Sequence, residues 1–241
     1  AAGQAALVRG LGTRKDQAAR PAVVAAVANP DKQVKLAAVN ALAILGNSAE
    51  DVNTLVGVLA SDDKEVTAAG RIALVALVGD AVNPAVAAAV PAVTPAVRAQ
   101  LLDVLATRRA NEAMPLATQA MNDADVAVRV AALDAMGLVG GTAEAPLVVA
   151  TLVKTADKAE RSAADKALGD ISSRKGAEVL PVVLSAMKDA GVEQRVLLLR
   201  GAARIGGSDA LNAAVTAMSD ADATISTEAL RLLSEWPTLD A

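Results

Sequence analysis

Apolar side chains along this chain recur at helical spacing, and the recurrence is itself periodic. Residues 123–152, DADVAVRVAALDAMGLVGGTAEAPLVVATL, show the unit most clearly. Apolar positions three and four apart fill one stretch, a Gly-Gly pair breaks it, and a second such stretch follows. That pattern predicts a helix, a turn and a second helix.

Close variants of the unit run the length of the chain. An apolar or equivalent residue early in each first helix serves as an anchor, at Val34, Val66, Val97, Val128, Glu160, Gln194 and Ile225, with steps of 32, 31, 31, 32, 34 and 31 residues. An earlier, partial unit is visible where Leu7–Gly12 aligns with Ala41–Gly46. Eight residues after the anchors stand Leu42, Leu74, Leu105, Met136, Leu168, Ala202 and Leu233; seven before them stand Val27, Leu59, Val90, Met121, Val153, Met187 and Met218. Both columns are wholly apolar and predict buried seams between stacked helices. A third column, Ala26, Val58, Ala89, Ala120, Leu152, Ala186 and Ala217, is mostly small and suits close helix approach.

The punctuation agrees with this register. Pro21, Pro84, Pro115 and Pro181 share one position, where the first turn of a second helix needs no backbone N–H. Gly46, Gly79, Gly140 and Gly206 are placed to end first helices. The junctions NPD (29–31), SDD (61–63), NDAD (122–125), KDAG (188–191) and SDAD (219–222) supply residues able to N-cap the next helix. The prolines of 81–95 are expected to shorten or kink the helix there. The chain is therefore expected to be all-α, about fifteen short helices paired antiparallel and stacked into a right-handed α-solenoid, an alpha-alpha superhelix. One such array over 1–241 would comprise repeats at roughly 1–30, 31–62, 63–93, 94–123, 124–156, 157–189, 190–220 and 221–241, the first and last incomplete.

Composition narrows the chemistry. Apolar residues make up 54% of the 241 and charged residues 21%, too rich in apolar side chains for disorder. Phe, Tyr, His and Cys are absent and Trp236 is the sole aromatic, so packing must rely on Ala, Val and Leu. The net charge of −4, with both signs interspersed, argues against nucleic acid, which needs a basic face. The longest uncharged run, 81–97, is too broken by Pro to insert into a membrane.

On the residues Asp-x-x-x-x-Val-Arg-x-Ala-Ala-Leu-x-Ala-Met-Gly, running from Asp123 through Val128-Arg129 to Gly137, the chain resembles HEAT-like repeats. The similarity is to the short bacterial type, near 31 residues, first associated with phycobilisome lyases. Asp189 with Arg195 also fits the pattern. Lys35, Arg98 and Arg161 keep the basic residue, while Asn29, Ser61 and Thr155 stand in the aspartate position. Asp220 keeps the aspartate but is followed by Ser226 where the arginine belongs.

Two charged ladders follow from the register. The basic one is Lys35, Thr67, Arg98, Arg129, Arg161, Arg195 and Ser226. The resemblance implies that Asp123, Arg129, Asp189, Arg195, Arg98 and Arg161 are structural connectors between repeats, although a basic stripe could also face an acidic partner. The acidic one is Glu50, Glu112, Glu144, Glu178 and Asp209, at the start of second helices, where a carboxylate meets the positive end of the helix dipole. Carboxylates one helix diameter apart hold a single metal ion poorly.

The resemblance further implies that second helices line the binding face. The exposed column there would be Ala25, Gly57, Ala88, Gln119, Thr151, Ser185 and Thr216, with Gln119, Thr151, Ser185 and Thr216 as the partner-binding candidates. A lining this small either accepts a helix or close-packed backbone, or is an uncommitted surface.

Without His or Cys there is no Ser–His or Cys–His nucleophile and no zinc site of the usual kind. The aligned methionines Met121, Met136, Met187 and Met218 fall in apolar columns and read as core filling. No phosphate-binding glycine loop occurs, so no catalytic, metal or cofactor residue is expected. The first segment, AAGQAALVRGLG, lacks the polar face of a terminal cap, which suggests a piece of a larger protein, or ends covered by a partner or by self-association. Trp236 shares a mostly apolar column with Leu45, Leu77, Val139, Ile171 and Ile205, interrupted by Arg108, and suits a terminal plug or a docking anchor.

These readings make the chain a non-catalytic scaffold that binds a protein partner or spaces domains. The resemblance leans towards a bacterial, extracytoplasmic setting and leaves the cytoplasm open. It also implies an alternative, a bilin-lyase-type subunit handling a tetrapyrrole, a task that should want aromatic or His contacts absent from this lining.

Overall fold

The structure, a computed structural model, describes residues 1–236, so the C-terminal limit of the last expected repeat lies outside the described residues. Within the described residues there are fifteen α-helices, three short 3-10 turns and no strand. The all-α expectation holds, and the helices fall into two compact units, 1–120 and 121–241.

The first unit contains α1 (Ala2–Thr13), α2 (Arg20–Val27), α3 (Lys32–Leu45), α4 (Ala49–Leu59), α5 (Lys64–Ala76), α6 (Val82–Ala89), α7 (Pro95–Thr107) and α8 (Ala113–Ala120). Helices α1, α3, α5 and α7 pack in succession as one layer, and α2, α4 and α6 as another. The second unit contains α9 (Val126–Val139), α10 (Ala145–Lys154), α11 (Lys158–Lys175), α12 (Leu180–Met187), α13 (Val192–Ile205), α14 (Ser208–Ala217) and α15 (Ala223–Ser234). Its layers are α9, α11, α13, α15 and α10, α12, α14. Each unit is thus a stretch of α-solenoid, in which helices touch those of adjoining pairs.

Burial follows the sequence columns closely. Anchors Val34, Val66, Val97, Val128 and Ile225 are buried, and so are Leu42, Leu74, Leu105, Met136, Leu168 and Ala202 eight residues on. The seam seven before the anchor departs from expectation. Val27, Leu59 and Val90 are buried, but Met121, Val153 and Met187 are only half-buried and Met218 is 37% exposed. In the second unit the core contact passes to the preceding position, occupied by Leu152 and Ala217. Helix α14 ends at Ala217, which leaves Met218 in the cap facing solvent rather than filling the core.

Ends of helices are set by local chemistry. Asp31, Asp63, Asp125, Asp157 and Asp222 N-cap α3, α5, α9, α11 and α15, each accepting a backbone N–H from the first turn. The KDAG junction is the exception, because Gly191 takes the N-cap of α13 with no side chain to offer. Gly206 ends α13 with φ at +77°, a left-handed conformation suited to glycine. Gly46 and Gly140 end α3 and α9 with ordinary negative φ instead. Their need for glycine is spatial: a Cβ on Gly140 would meet the Met136 carbonyl oxygen at 2.5 Å, and one on Gly46 the Leu42 oxygen at 2.8 Å. The prolines of 81–95 act as expected. Helix α6 stops after eight residues, a 3-10 turn carries Pro91, and Pro95 opens α7.

Candidate functional site

The inter-repeat turns carry two interlocking hydrogen-bond sets. In the first, Asn29, Ser61, Asp123, Thr155 and Asp220 each accept the N–H of the aspartate two residues on, at 2.9–3.2 Å. One turn geometry is therefore served by amide, hydroxyl and carboxylate oxygens alike. Asn29, Ser61 and Thr155 do the work that Asp123 and Asp220 do.

The second set comes from the residue after the anchor. Thr67 Oγ1 donates to the Ser61 carbonyl at 2.9 Å, Arg129 Nη1 to that of Asp123 at 2.8 Å, and Arg161 Nη2 to that of Thr155 at 2.8 Å. Arg98 donates to the Val90 and Val93 carbonyls at 3.2 and 3.1 Å. Arg129 and Arg161 then reach forward into the following repeat, and Arg195 to the junction that leads into it. Arg129 holds Glu160 through two bonds at 3.0 and 3.2 Å, Arg161 holds Glu193 at 2.7 Å, and Arg195 pairs with Asp220. Asp189 is exposed, and among the described residues no hydrogen bond or ion pair joins it to Arg195. The Arg129 guanidinium lowers the pKa of the mostly buried Glu160 carboxyl against the opposing cost of desolvation.

A comparable clasp closes α13 onto α15. Glu228, nearly buried, accepts from Arg200 Nε at 2.7 Å and from Arg231 Nη2 at 2.6 Å. These two guanidiniums depress its pKa to about 2.

Two further polar groups are held inside the packing: Asp51, which the sequence did not mark out, and the half-buried Arg108. Asp51 is completely buried yet accepts from Arg20, from the Ser48 hydroxyl and from the N–H groups of Asn47 and Ser48, at 2.8–3.2 Å. Burial pushes its pKa up, and the combined donors outweigh that and leave it lowered. The signal was in the register: the same column otherwise reads Ala19, Val82, Ala113, Ala145, Val179 and Ala210. Arg108, which interrupts an apolar column, places one nitrogen 2.7–3.0 Å from the Leu74, Val75 and Leu77 carbonyls at the C-terminal end of α5, and its Nε 2.6 Å from Asn83 Oδ1. An orphaned helix end is thereby satisfied from the next repeat.

The acidic ladder sits where second helices begin. Glu50 and Asp209 lie in the first turns of α4 and α14, and Glu144 stands at the N-cap position of α10, its carboxylate accepting the Gly141 N–H of the preceding turn at 2.7 Å. Among the described residues no three metal-ligating side chains come together. Likewise no described helix is long and apolar enough to cross a membrane.

The column of partner-binding candidates is at the surface. Ala25, Gly57, Ala88 and Gln119 are exposed in the first unit; Ser185 and Thr216 are exposed and Thr151 half-buried in the second. Thr151 and Thr216 spend their hydroxyl protons on the carbonyls of Leu147 and Asn212 in their own helices, leaving only lone pairs outward. Trp236 is half-buried against Val196, Leu199, Ala214, Ala217, Ile225 and Ala229, with its indole N–H unpartnered.

Solved structures of similar shape include YibA of Escherichia coli, at 15% identity over 93% of this chain and 96% of that one, with a TM-score of 0.49. The complex of CpcE and CpcF of phycocyanin lyase from Nostoc sp. is similar at 20% identity over 96% and 88%, TM-score 0.38. Human deoxyhypusine hydroxylase in complex with glycerol is similar at 13% identity over 93% and 87%, TM-score 0.43. No curated protein sequence shows significant similarity. HEAT repeats, by contrast, match residues 1–75 and 82–169, and on that match this chain belongs to the HEAT repeat family.

Proposed function

We propose that the chain is a non-catalytic scaffold that binds a protein partner along the second helices, through Gln119 in the first unit and Thr151, Ser185 and Thr216 in the second. The observation that carries this reading is a division of labour. Arg129, Arg161 and Arg195 are engaged by carbonyls or by carboxylates of the following repeat or junction, and the buried carboxylates are matched in turn. The small-residue column, by contrast, faces outward except at the half-buried Thr151 and takes part in none of these ion pairs. Its side chains are short, so a partner's backbone can approach the helices closely. The chemistry fits a binding role better than a reaction, because the chain has neither His nor Cys and its paired carboxylates are held by arginines.

The test is affinity capture from the source organism with the wild-type chain, with Ser185→Arg/Thr216→Arg, and with Ser173→Arg on the exposed side of α11 as a control. A partner that is kept by the wild type and the control but lost by the double variant supports the reading. Capture indifferent to the column, or no capture at all, overturns it.

A further inference from the structure

The second-helix layer contains one cleft twice. In the first unit it opens between α2 and α4, with a volume of about 390 Å³, lined by Val24, Val27, Lys35, Thr54, Gly57 and Ser61 among others. In the second it opens between α12 and α14, about 300 Å³, lined by Leu184, Met187, Arg195, Ala213, Thr216 and Asp220. These two sets occupy the same repeat positions one for one. Both include a residue of the exposed column, Gly57 or Thr216, and both are floored by the cation that follows the anchor, Lys35 or Arg195.

The copies differ in how that cation is paired, and the second is also edged by the exposed Lys188. Arg195 is neutralised by Asp220, in the junction that closes its own repeat. At the position of Asp220 the first unit has Ser61, and no acidic side chain lines its cleft. Lys35 is half-buried there and, among the described residues, its ammonium has neither hydrogen-bond nor ion-pair partner. Lys32, three residues earlier, shows the contrast, with Asp63 and Glu65 both 2.7 Å away. The pocket around Lys35 is apolar on one side, through Val24, Val27 and Val58, and supplies the Thr54 hydroxyl oxygen on another. A half-buried ammonium in such walls attracts a carboxylate more strongly than one in open water.

We infer that the α2–α4 cleft receives an acidic side chain of the protein partner, which completes at Lys35 the ion pair that Asp220 completes internally at Arg195. The inference rests on the protein-binding reading and names its chemistry. The serine at position 61 keeps the turn closed by accepting the Asp63 N–H without supplying charge. An aspartate in its place would hold the same turn, as Asp220 does for Asp222, and would occupy Lys35 from within.

The test titrates two fluorescein-labelled Ala/Leu helical peptides, one with a central Glu and the other with Gln there, against the folded full chain. The wild type should bind the Glu peptide about tenfold more tightly, a preference that shrinks with added salt. Both Lys35→Met and Ser61→Asp should erase the preference, and Lys35→Arg should keep it, with unchanged circular dichroism showing each variant folded. Equal binding of the two peptides, no binding, or a preference surviving in Ser61→Asp would overturn the inference. If cellular capture depends on Ser185 and Thr216 but not on Lys35 or Ser61, this site fails while the scaffold reading stands. A failure of capture altogether sinks the scaffold reading, and the peptide titration still decides the cleft.

Discussion

Arg20 and Asp51 are 31 residues apart in sequence and 2.8 Å apart in space, one guanidinium nitrogen against a carboxylate with no solvent exposure. The pair ties the start of α2 to the start of α4, and Ser48 joins it by bonding both. A buried charge held this way contributes little as a pair but is costly to orphan.

Arg20→Ala should therefore destabilise the first unit by about 2–3 kcal/mol, somewhat below the cost for a fully buried pair because Arg20 itself is partly exposed. Arg20→Ala combined with Asp51→Ala should cost less than the sum of the two single changes. Urea denaturation of the three variants measures both statements, and strict additivity would show that the two residues do not act together.

Acid should loosen the array through these same carboxylates. Asp51 and Glu228 have folded pKa values below their unfolded ones, Glu228 at about 2. Their contribution is present above the unfolded values, roughly 4, and is lost as pH falls through the folded values. Between roughly pH 4 and pH 2 the wild type should thus lose stability more steeply than Glu228→Gln, by about 1–2 kcal/mol given that both arginine partners reach solvent. Thermal melts across that window decide it; parallel curves for the two proteins would exclude Glu228 as a contributor.

Close packing gives a third expectation. A Cβ on Gly12 would come within 2.9 Å of Ala41 Cα and Cβ, at the crossing of α1 with α3. Neither helix can yield without moving backbone, so Gly12→Ala should cost about 1–3 kcal/mol, although alanine is the better helix former. Gly57→Ala, where a Cβ meets nothing within 4 Å, should be neutral or stabilising. Melting temperatures that rank the two variants the other way would contradict this packing.

Much of the fold was legible because one register organises it. The anchors, the Leu42-to-Ala202 column and the capping aspartates each repeat often enough that a single ambiguous residue does not disturb the pattern. What was missed lies where one repeat departs from the rest. Met218 reads as core from its column, yet it stands one residue past the end of α14, and helix ends shift by a residue between copies. Asp51 was passed over because a column average hides a single polar residue among alanines and valines. The surface column was readable as a surface, but nothing in the letters of the basic ladder distinguishes a free Lys35 from a paired Arg195. That difference depends on whether the following junction places Ser61 or Asp220 opposite.

The forward-reaching arginines have a consequence for how such a chain can be rearranged. Arg129 finds its acceptor at the anchor of the next repeat, Arg161 one residue before the anchor, and Arg195 five residues before it. Each junction thus has its own address. Exchange the order of two repeats and an arginine would arrive opposite the wrong surface, with a carboxylate stranded nearby. The building blocks look interchangeable by shape, but their wiring fixes a sequence of neighbours and a direction of reading.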